Sequence, residues 1–294
     1  MDKIHKRLPI QHRNLRSPVV FAFNVLTNHY LAFQGSQYRT IQYLFQKYSQ
    51  VDNFYLLPNI TNVSMTIEER SAQLAQNLKE LAEREALKGK VHLVAHSFTG
   101  VDSRAALALF GASAQVRSLT TICSPHLGMR LIDNCEKHPE RCVLERAEKA
   151  IEAVGLSQSS AQEFTSRNLA DFNKVVEDAA GVEYFSLGAH KQRLQSSELL
   201  RSSHESIVGP NAHDGVGGVN SDGLVRPEEA RWGRYLLTFP EHDHLEIAGF
   251  NADYKPYQVC NLVADNLRLA EIKEDPREAR EYGVDGLFTS NNNS

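Results

Sequence analysis

The sequence predicts an α/β fold, with a mostly parallel central sheet flanked by helices. Three observations carry this reading. Compact apolar runs, which read as buried strands, alternate with amphipathic helical segments over residues 18–125, the pattern of parallel strands joined by helical crossovers. The run Val91-His92-Leu93-Val94-Ala95-His96 leads directly into Ser97-Phe98-Thr99-Gly100 and then a helix-compatible segment. That is strand, sharp turn and helix with a serine at the apex. Ligands of such sheets bind beyond the carboxyl ends of the strands, where Ser97 stands.

The elements follow in order. Pro18–Phe23 reads as a buried strand. Tyr38, Ile41, Leu44, Phe45 and Tyr48 recur at helical spacing and predict an amphipathic helix over 37–49. Phe54–Leu57 is a second short strand ended by Pro58. Thr66 and Glu69 form a capping box that opens a helix whose Leu74, Leu78 and Leu81 share one side. Val116–Cys123 is the strand after the serine turn, ending at Ser124-Pro125-His126. Residues 129–180 break the alternation: they are charged, poor in strand formers, and predict helices over Glu145–Val154 and Ser166–Val176. This stretch reads as a helical lid inserted above the sheet. Val182–Leu187 returns to strand, 189–206 contains no clear element, and 209–223 is a Gly-rich loop. Tyr235–Phe239 is the last strand, followed by a helix over 254–272. The expected organisation is a basic extension (1–16), one domain (17–272, with the insertion at 129–180) and a polar, mobile tail (273–294).

Bulk properties narrow the functions. The 294 residues can bury a large core. A net charge of −4 argues against nucleic acid as the main partner, and no apolar run approaches the length of a membrane span. No apolar core follows the first basic residues, so no secretory signal is read. Lys3, Lys6, Arg7, Arg13 and Arg16 against the single acid Asp2 suit a mitochondrial targeting segment or a solvated tail, with Pro9 interrupting any helix. The expected location is intracellular, with the mitochondrion as candidate organelle. Cys123, Cys135, Cys142 and Cys260 show no Cys-x-x-Cys spacing and read as reduced thiols. The sequons at Asn59 and Asn62 matter only in a secreted chain.

A nucleophilic serine on such a turn needs small residues two positions before and after it, because strand and helix backbones nearly touch there. Those positions are Ala95 and Thr99; Thr99 is a departure, and Gly100 relieves part of the crowding. The serine also needs an imidazole, and the imidazole a carboxylate. Asp222 and Asp214 both lie in the Gly-rich loop. His242 and His244 both follow the last strand, while His96 should point away from the hydroxyl. His242 and His244 also resemble a metal pair, but no third ligand is evident by spacing.

Together these segments resemble the bacterial family I triacylglycerol lipases of the Pseudomonas and Burkholderia type, over about residues 17–265. Ser221-Asp-Gly-Leu-Val is similar to that family's Asn-Asp-Gly-Leu-Val, and His244-Leu-Glu246 to its His-Leu-Asp. Ser124-Pro-His-Leu-Gly128 is similar to its Ala-Pro-His-x-Gly turn, and Phe172-Asn173 with Gly181–Ser186 to its segment after the lid. The resemblance implies the α/β-hydrolase fold with a helical lid, and it selects Asp222 and His244. It implies Ser97 as nucleophile, His244 as base, Asp222 as the orienting acid, and the Phe98 amide as an oxyanion donor. Where the family has His-Gly before the second donor, this chain has Phe23-Asn24, with Val25 in the donor position. The family's structural calcium uses two Asp side chains. Glu246 stands at one of these positions, and Leu200–Ser206 offers no Asp for the other. No cofactor is expected, with Glu246 as the sole calcium candidate.

Two functions follow. One is a serine esterase or lipase acting on acyl esters, triacylglycerol or smaller. The other is a catalytically impaired lipase-fold subunit of a larger protein complex, motivated by Thr99, Phe23-Asn24 and the altered calcium position.

Overall fold

The computed structural model describes residues 15–23, 53–58, 64–137, 156–208, 220–249 and 257–281, together with 43, 45–47, 51, 62, 151 and 152. Among the described residues six strands form one parallel sheet in the order β2-β1-β3-β4-β5-β6. They are β1 (Val19–Ala22), β2 (Phe54–Leu56), β3 (Val91–His96), β4 (Val116–Ile122), β5 (Glu183–His190) and β6 (Arg234–Pro240). From β1 the order steps outward to the edge strand β2, then returns to β3 and winds the other way. β1 and β3 are therefore neighbours, and Ala22 pairs with Ala95 where the winding reverses. Crevices for ligands open at such points. β1 and β3 are buried at every position, as expected of strands covered on both faces.

Helix α1 (Ile67–Arg84) starts at the predicted capping box: Thr66 Oγ1 accepts from the Glu69 amide, and Glu69 accepts from the Thr66 amide. Its buried Leu74, Leu78 and Leu81 pack with Val20, Leu93 and Leu119 on one face of the sheet. Helix α2 (Thr99–Leu109) follows the serine turn and packs against α1, joined to it by a fully buried Arg70–Asp102 ion pair at 2.9 Å. Helix α7 (Tyr257–Glu274) covers the opposite face through Val259, Val263 and Leu267.

The insertion contains α3 (Arg130–Lys137), the short α4 (Gln158–Ala161) and α5 (Ser166–Val175). Arg104 of α2 fastens α5, donating to Asn173 Oδ1 at 2.8 Å and to the Val176 carbonyl at 3.1 Å. Asn173 in turn donates to the His126 carbonyl at 2.9 Å. Glu163 accepts from the Ile67 amide at 2.8 Å, which ties the insertion to the start of α1.

Pro276–Glu281, within the polar tail, forms α8, with proline at the first helical position. Two expectations are corrected. The polar stretch 189–206 is not structureless: α6 (Glu198–Val208) occupies its second half. Its buried Leu200 and Ile207 pack with Leu131 and Leu224, a short apolar stripe that the surrounding polar residues hide in sequence. Cys135 is disulfide-bonded rather than reduced, whereas Cys123 and Cys260 are free and buried. Of the predicted helix 37–49, residues 43 and 45–47 are described and are helical, with Phe45 buried against Phe21 and Phe54; the rest of it, most of Glu145–Val154, the Gly-rich stretch 209–219, residues 282–294 and most of the basic extension lie outside the described residues. Among the described residues no helix is long and apolar enough to cross a membrane.

Candidate active site at the carboxyl edge of the sheet

Ser97 sits between β3 and α2 with φ +60°, a left-handed conformation that non-glycine residues rarely adopt. Its amide donates to the Ile122 carbonyl, which pins the turn to β4. The close approach that normally demands a small residue falls at Gly100. A Cβ there would lie 2.1 Å from Ser124 Oγ, so no larger residue fits without moving the Ser124 turn. This explains how Thr99 is accommodated two positions after the serine: the tight contact is displaced by one residue. Thr99 lines a cleft with Phe23, Leu57, Pro58 and Asn77. Its Oγ1 is buried without a hydrogen-bond partner.

Asp222 and His244 converge on this serine from the loops flanking β6. Ser221 Oγ accepts from the Gly223 amide at 3.0 Å, and Gly223 adopts φ +101°. The chain folds back so that Asp222 Oδ1 accepts from the amides of Leu224 at 2.9 Å and Val225 at 2.7 Å. Its Oδ2 meets His244 Nδ1 at 2.7 Å, and His244 Nε2 meets Ser97 Oγ at 2.8 Å. The His244 amide donates to the Asp222 carbonyl, so backbone as well as side chains locks the two loops together. Asp222 and His244 are fully buried and Ser97 is 5% exposed.

The neighbouring groups are also placed. His96 points away from the serine hydroxyl: its ring lies 4.6 Å from the His244 ring, and its Nε2 meets the His244 carbonyl at 3.0 Å. Burial, and then the nearby His244, hold the His96 pKa well below its ordinary value. The neutral ring therefore donates to that carbonyl and supports the loop from beneath. His242 is turned to the Pro240 carbonyl instead, which leaves His244 as the histidine that reaches Ser97. The Phe98 amide heads α2, where the first N–H groups of a helix have no internal partner. The Phe98 ring is buried between Arg70 and Phe164. Val25, the other expected oxyanion donor, lies outside the described residues, as does Asp214.

The residues at the expected calcium position do not fit a divalent cation. Lys191 Nζ lies 2.6 and 2.7 Å from the two Glu246 carboxylate oxygens, with both side chains about one-eighth exposed. The ammonium already neutralises that carboxylate. Asp243 is committed to the amides of Ser197, Leu245 and Glu246. Cys123 Sγ clusters with Asp222 and His244, their ligand atoms all within 4.8 Å of one another. Here Asp222 and His244 already satisfy each other. Burial, followed by the Asp222 charge, pushes the Cys123 thiol well above its usual pKa and keeps it protonated. Neither Lys191 nor Cys123 stands out in the sequence. Cys123 could have been suspected only from its place immediately before Ser124-Pro125-His126, at the end of a strand.

Comparison with known proteins agrees with the architecture. No family model matches the chain. It is similar to triacylglycerol lipase 2 of Saccharomyces cerevisiae, 27% identical over 188 residues that span 62% of this chain. The match covers about half (54%) of that relative's length. Among solved structures it is similar to the mature Bacillus licheniformis lipase BlEst2, with TM-score 0.58 and 19% identity over 84% of this chain and 92% of that one. The metagenomic carboxyl esterase MGS0156 gives TM-score 0.61 and 18% identity over 87% and 75%. Staphylococcus hyicus lipase gives 0.56 and 14% over 89% and 97%. The parallel sheet, the serine turn and these neighbours together give the chain the α/β-hydrolase fold.

Proposed function

We propose that the chain is a lipase-like carboxylic ester hydrolase working through an acyl-enzyme on Ser97. The observation that carries this reading is the continuous row from Ser97 Oγ through His244 to Asp222, with contacts of 2.8 and 2.7 Å. In the proposed cycle Ser97 Oγ attacks the ester carbonyl carbon while His244 Nε2 takes its proton. Asp222 fixes the imidazole tautomer and balances the charge of the imidazolium. The Phe98 amide, with Val25 as second donor, stabilises the tetrahedral oxyanion. Collapse breaks the C–O bond, and His244 returns its proton to the departing alcohol. Water, deprotonated by His244, then cleaves the acyl-enzyme to release the acid and restore Ser97.

The yeast relative's name supports an acyl glycerol ester as substrate class, and the quoted segments favour the Pseudomonas and Burkholderia type among the lipases. The 129–180 insertion acts in this reading as a lid over a serine that is only 5% exposed. The basic segment 1–16 supports mitochondrial targeting. The test is hydrolysis of p-nitrophenyl esters of short and long chain by wild type and by Ser97→Ala. Activity abolished by the substitution upholds the esterase reading, and the chain-length profile bounds the acyl pocket. Equal background rates in both would favour the accessory-subunit reading, for which Thr99 in the serine turn is the motivating observation.

A further inference from the structure

Beyond Ser97, His244 and Asp222, one buried side chain reaches the same site without a role in the cycle. Cys123 directly follows β4 with φ +51°, a conformation that glycine would adopt freely. Its amide donates to the Leu187 carbonyl at 2.9 Å, so the residue is fixed in the seam between β4 and β5. It is 1% exposed, free of any disulfide, and its Sγ lies within 4.8 Å of the ligand atoms of both Asp222 and His244. The Asp222 carboxylate is completely buried, and three of its hydrogen bonds come from Leu224, Val225 and His244. An ionised carboxylate offers about four acceptor sites, and the thiol stands beside this one, within 4.8 Å.

We propose that Cys123 is a positioning residue whose S–H group supplies the fourth hydrogen bond to Asp222, fixing the carboxylate that orients His244. The inference rests on the esterase reading above. A backbone position that glycine would occupy without strain instead carries a side chain, and that side chain is aimed at the acid of the relay. Burial beside an anion keeps the sulfur protonated, so it acts as a donor and not as a nucleophile. The ionisable groups around Asp222 are His244 from its partner loop, Cys123 from the turn after β4 and, behind His244, His96 from β3; Asp243 adds its charge beside Cys123.

The test measures kcat and KM against pH, with p-nitrophenyl butyrate, for wild type, Cys123→Ala, Cys123→Ser and Cys123→Gly. Loss of the donor leaves more charge on the carboxylate facing His244, so the imidazolium is favoured. The acid limb of kcat/KM should then move up by several tenths of a pH unit in Cys123→Ala, and kcat should fall about tenfold with KM little changed. Cys123→Ser keeps a donor and should stay near wild type. Cys123→Gly should lose as much activity as Ala while matching or exceeding its melting temperature, because glycine relieves the positive φ. A wild-type pH profile and kcat in Cys123→Ala would overturn the proposal, and so would Ser losing as much as Ala. If wild type is no more active than Ser97→Ala, the esterase reading fails. The positioning role is then read by NMR titration of the His244 imidazole in wild type and Cys123→Ala: an upward shift upholds it and unchanged titration overturns it.

Discussion

The two ends of β3 each hold a hydroxyl, an imidazole and a carboxylate in one hydrogen-bonded row. At the carboxyl end the row is Ser97, His244 and Asp222. At the amino end Ser118 Oγ lies 2.7 Å from His92 Nδ1, and His92 Nε2 lies 3.3 Å from Glu271 Oε1. The inventories match, yet only one row has the backbone setting that the proposed chemistry needs. Ser118 lies inside β4, just after a bulge in its pairing with β3, and is fully buried. Ser97 takes a left-handed turn at the head of α2, lifted out of the strand towards a cleft. Glu271 also accepts from the amides of Arg16 at 2.9 Å and Ser17 at 2.7 Å, so its work is to fasten the start of the domain onto α7. Backbone geometry around the hydroxyl, and not the trio of side chains, separates a candidate nucleophile from a structural knot.

The sharpest break of this comparison is to remove each hydroxyl. Ser97→Ala should lower kcat on the order of 10⁴-fold or more while leaving stability near wild type. Ser118→Ala should keep kcat/KM within about twofold and cost about 1 kcal/mol of stability, because His92 Nδ1 loses its donor. Parallel ester assays and urea unfolding check both. An inactive but stable Ser118→Ala would erase the distinction between the two ends.

The carboxylates extend the contrast. Asp222→Asn should lower kcat by about 10⁴-fold through the wrong imidazole tautomer. Glu271→Gln should spare turnover and destabilise by about 2–3 kcal/mol, since its oxygens serve two amides and a histidine. Burial pushes Glu271 up, but hydrogen bonds from His92 and the Arg16 and Ser17 amides outweigh it and hold its pKa below the ordinary 4.5. The folded state therefore binds fewer protons than the unfolded one below about pH 4.5, and this stabilisation is lost as pH falls. Burial likewise depresses the pKa of His92, against the pull of Glu271, from its usual 6.5. His92 thus contributes a loss of stability that begins below about pH 6.5. Glu271→Gln should flatten the lower window in acid unfolding followed by circular dichroism.

How far these features could be read in the sequence depends on whether a local pattern encodes them. The strands around Ser97, the Thr66 capping box and the α5 segment carry their own periodicity or caps, and each formed where expected. Short motifs single out Ser97, Asp222 and His244, which the fold brings into contact; in sequence only the resemblance sets them apart from Asp214 and His242, and His242 turns to the Pro240 carbonyl. The α6 helix was not legible, because its apolar stripe of Leu200 and Ile207 is too short to stand out among serines. Cys123, Lys191 and the His92–Glu271 knot are tertiary facts. Their partners lie tens to nearly two hundred residues away in the chain, and no spacing rule announces them.

The loop that carries His244 has its own ionic anchor, which sharpens the contrast with the helix-borne Glu271. Lys191 and Glu246 hold this loop where a divalent cation is expected from the resemblance. Added calcium or a chelator should leave the melting temperature of the wild type within about 1 °C. Lys191→Ala leaves Glu246 unpaired and nearly buried, and should cost about 1–3 kcal/mol. Calorimetry with calcium and with chelator, on both proteins, measures this. A chelator-sensitive wild type would show that Lys191 does not substitute for the ion.

The smallest expected effect concerns Thr99, the residue that breaks the small-residue pattern. The displaced contact at Gly100 accommodates its side chain, but Oγ1 remains buried and unpartnered. A buried hydroxyl without a partner is unfavourable, and replacing it by a methyl group of similar shape removes the desolvation cost. Thr99→Val should therefore gain about 1 kcal/mol in urea unfolding. Its effect on kcat/KM distinguishes two uses of the cleft shared with Phe23, Leu57 and Asn77. Activity within about twofold of wild type means that the hydroxyl only fills space beside the serine turn. A loss of tenfold or more at raised stability would mean that the unpartnered Oγ1 contacts the ester, and that the carboxyl end of β3 trades stability for function where the amino end does not.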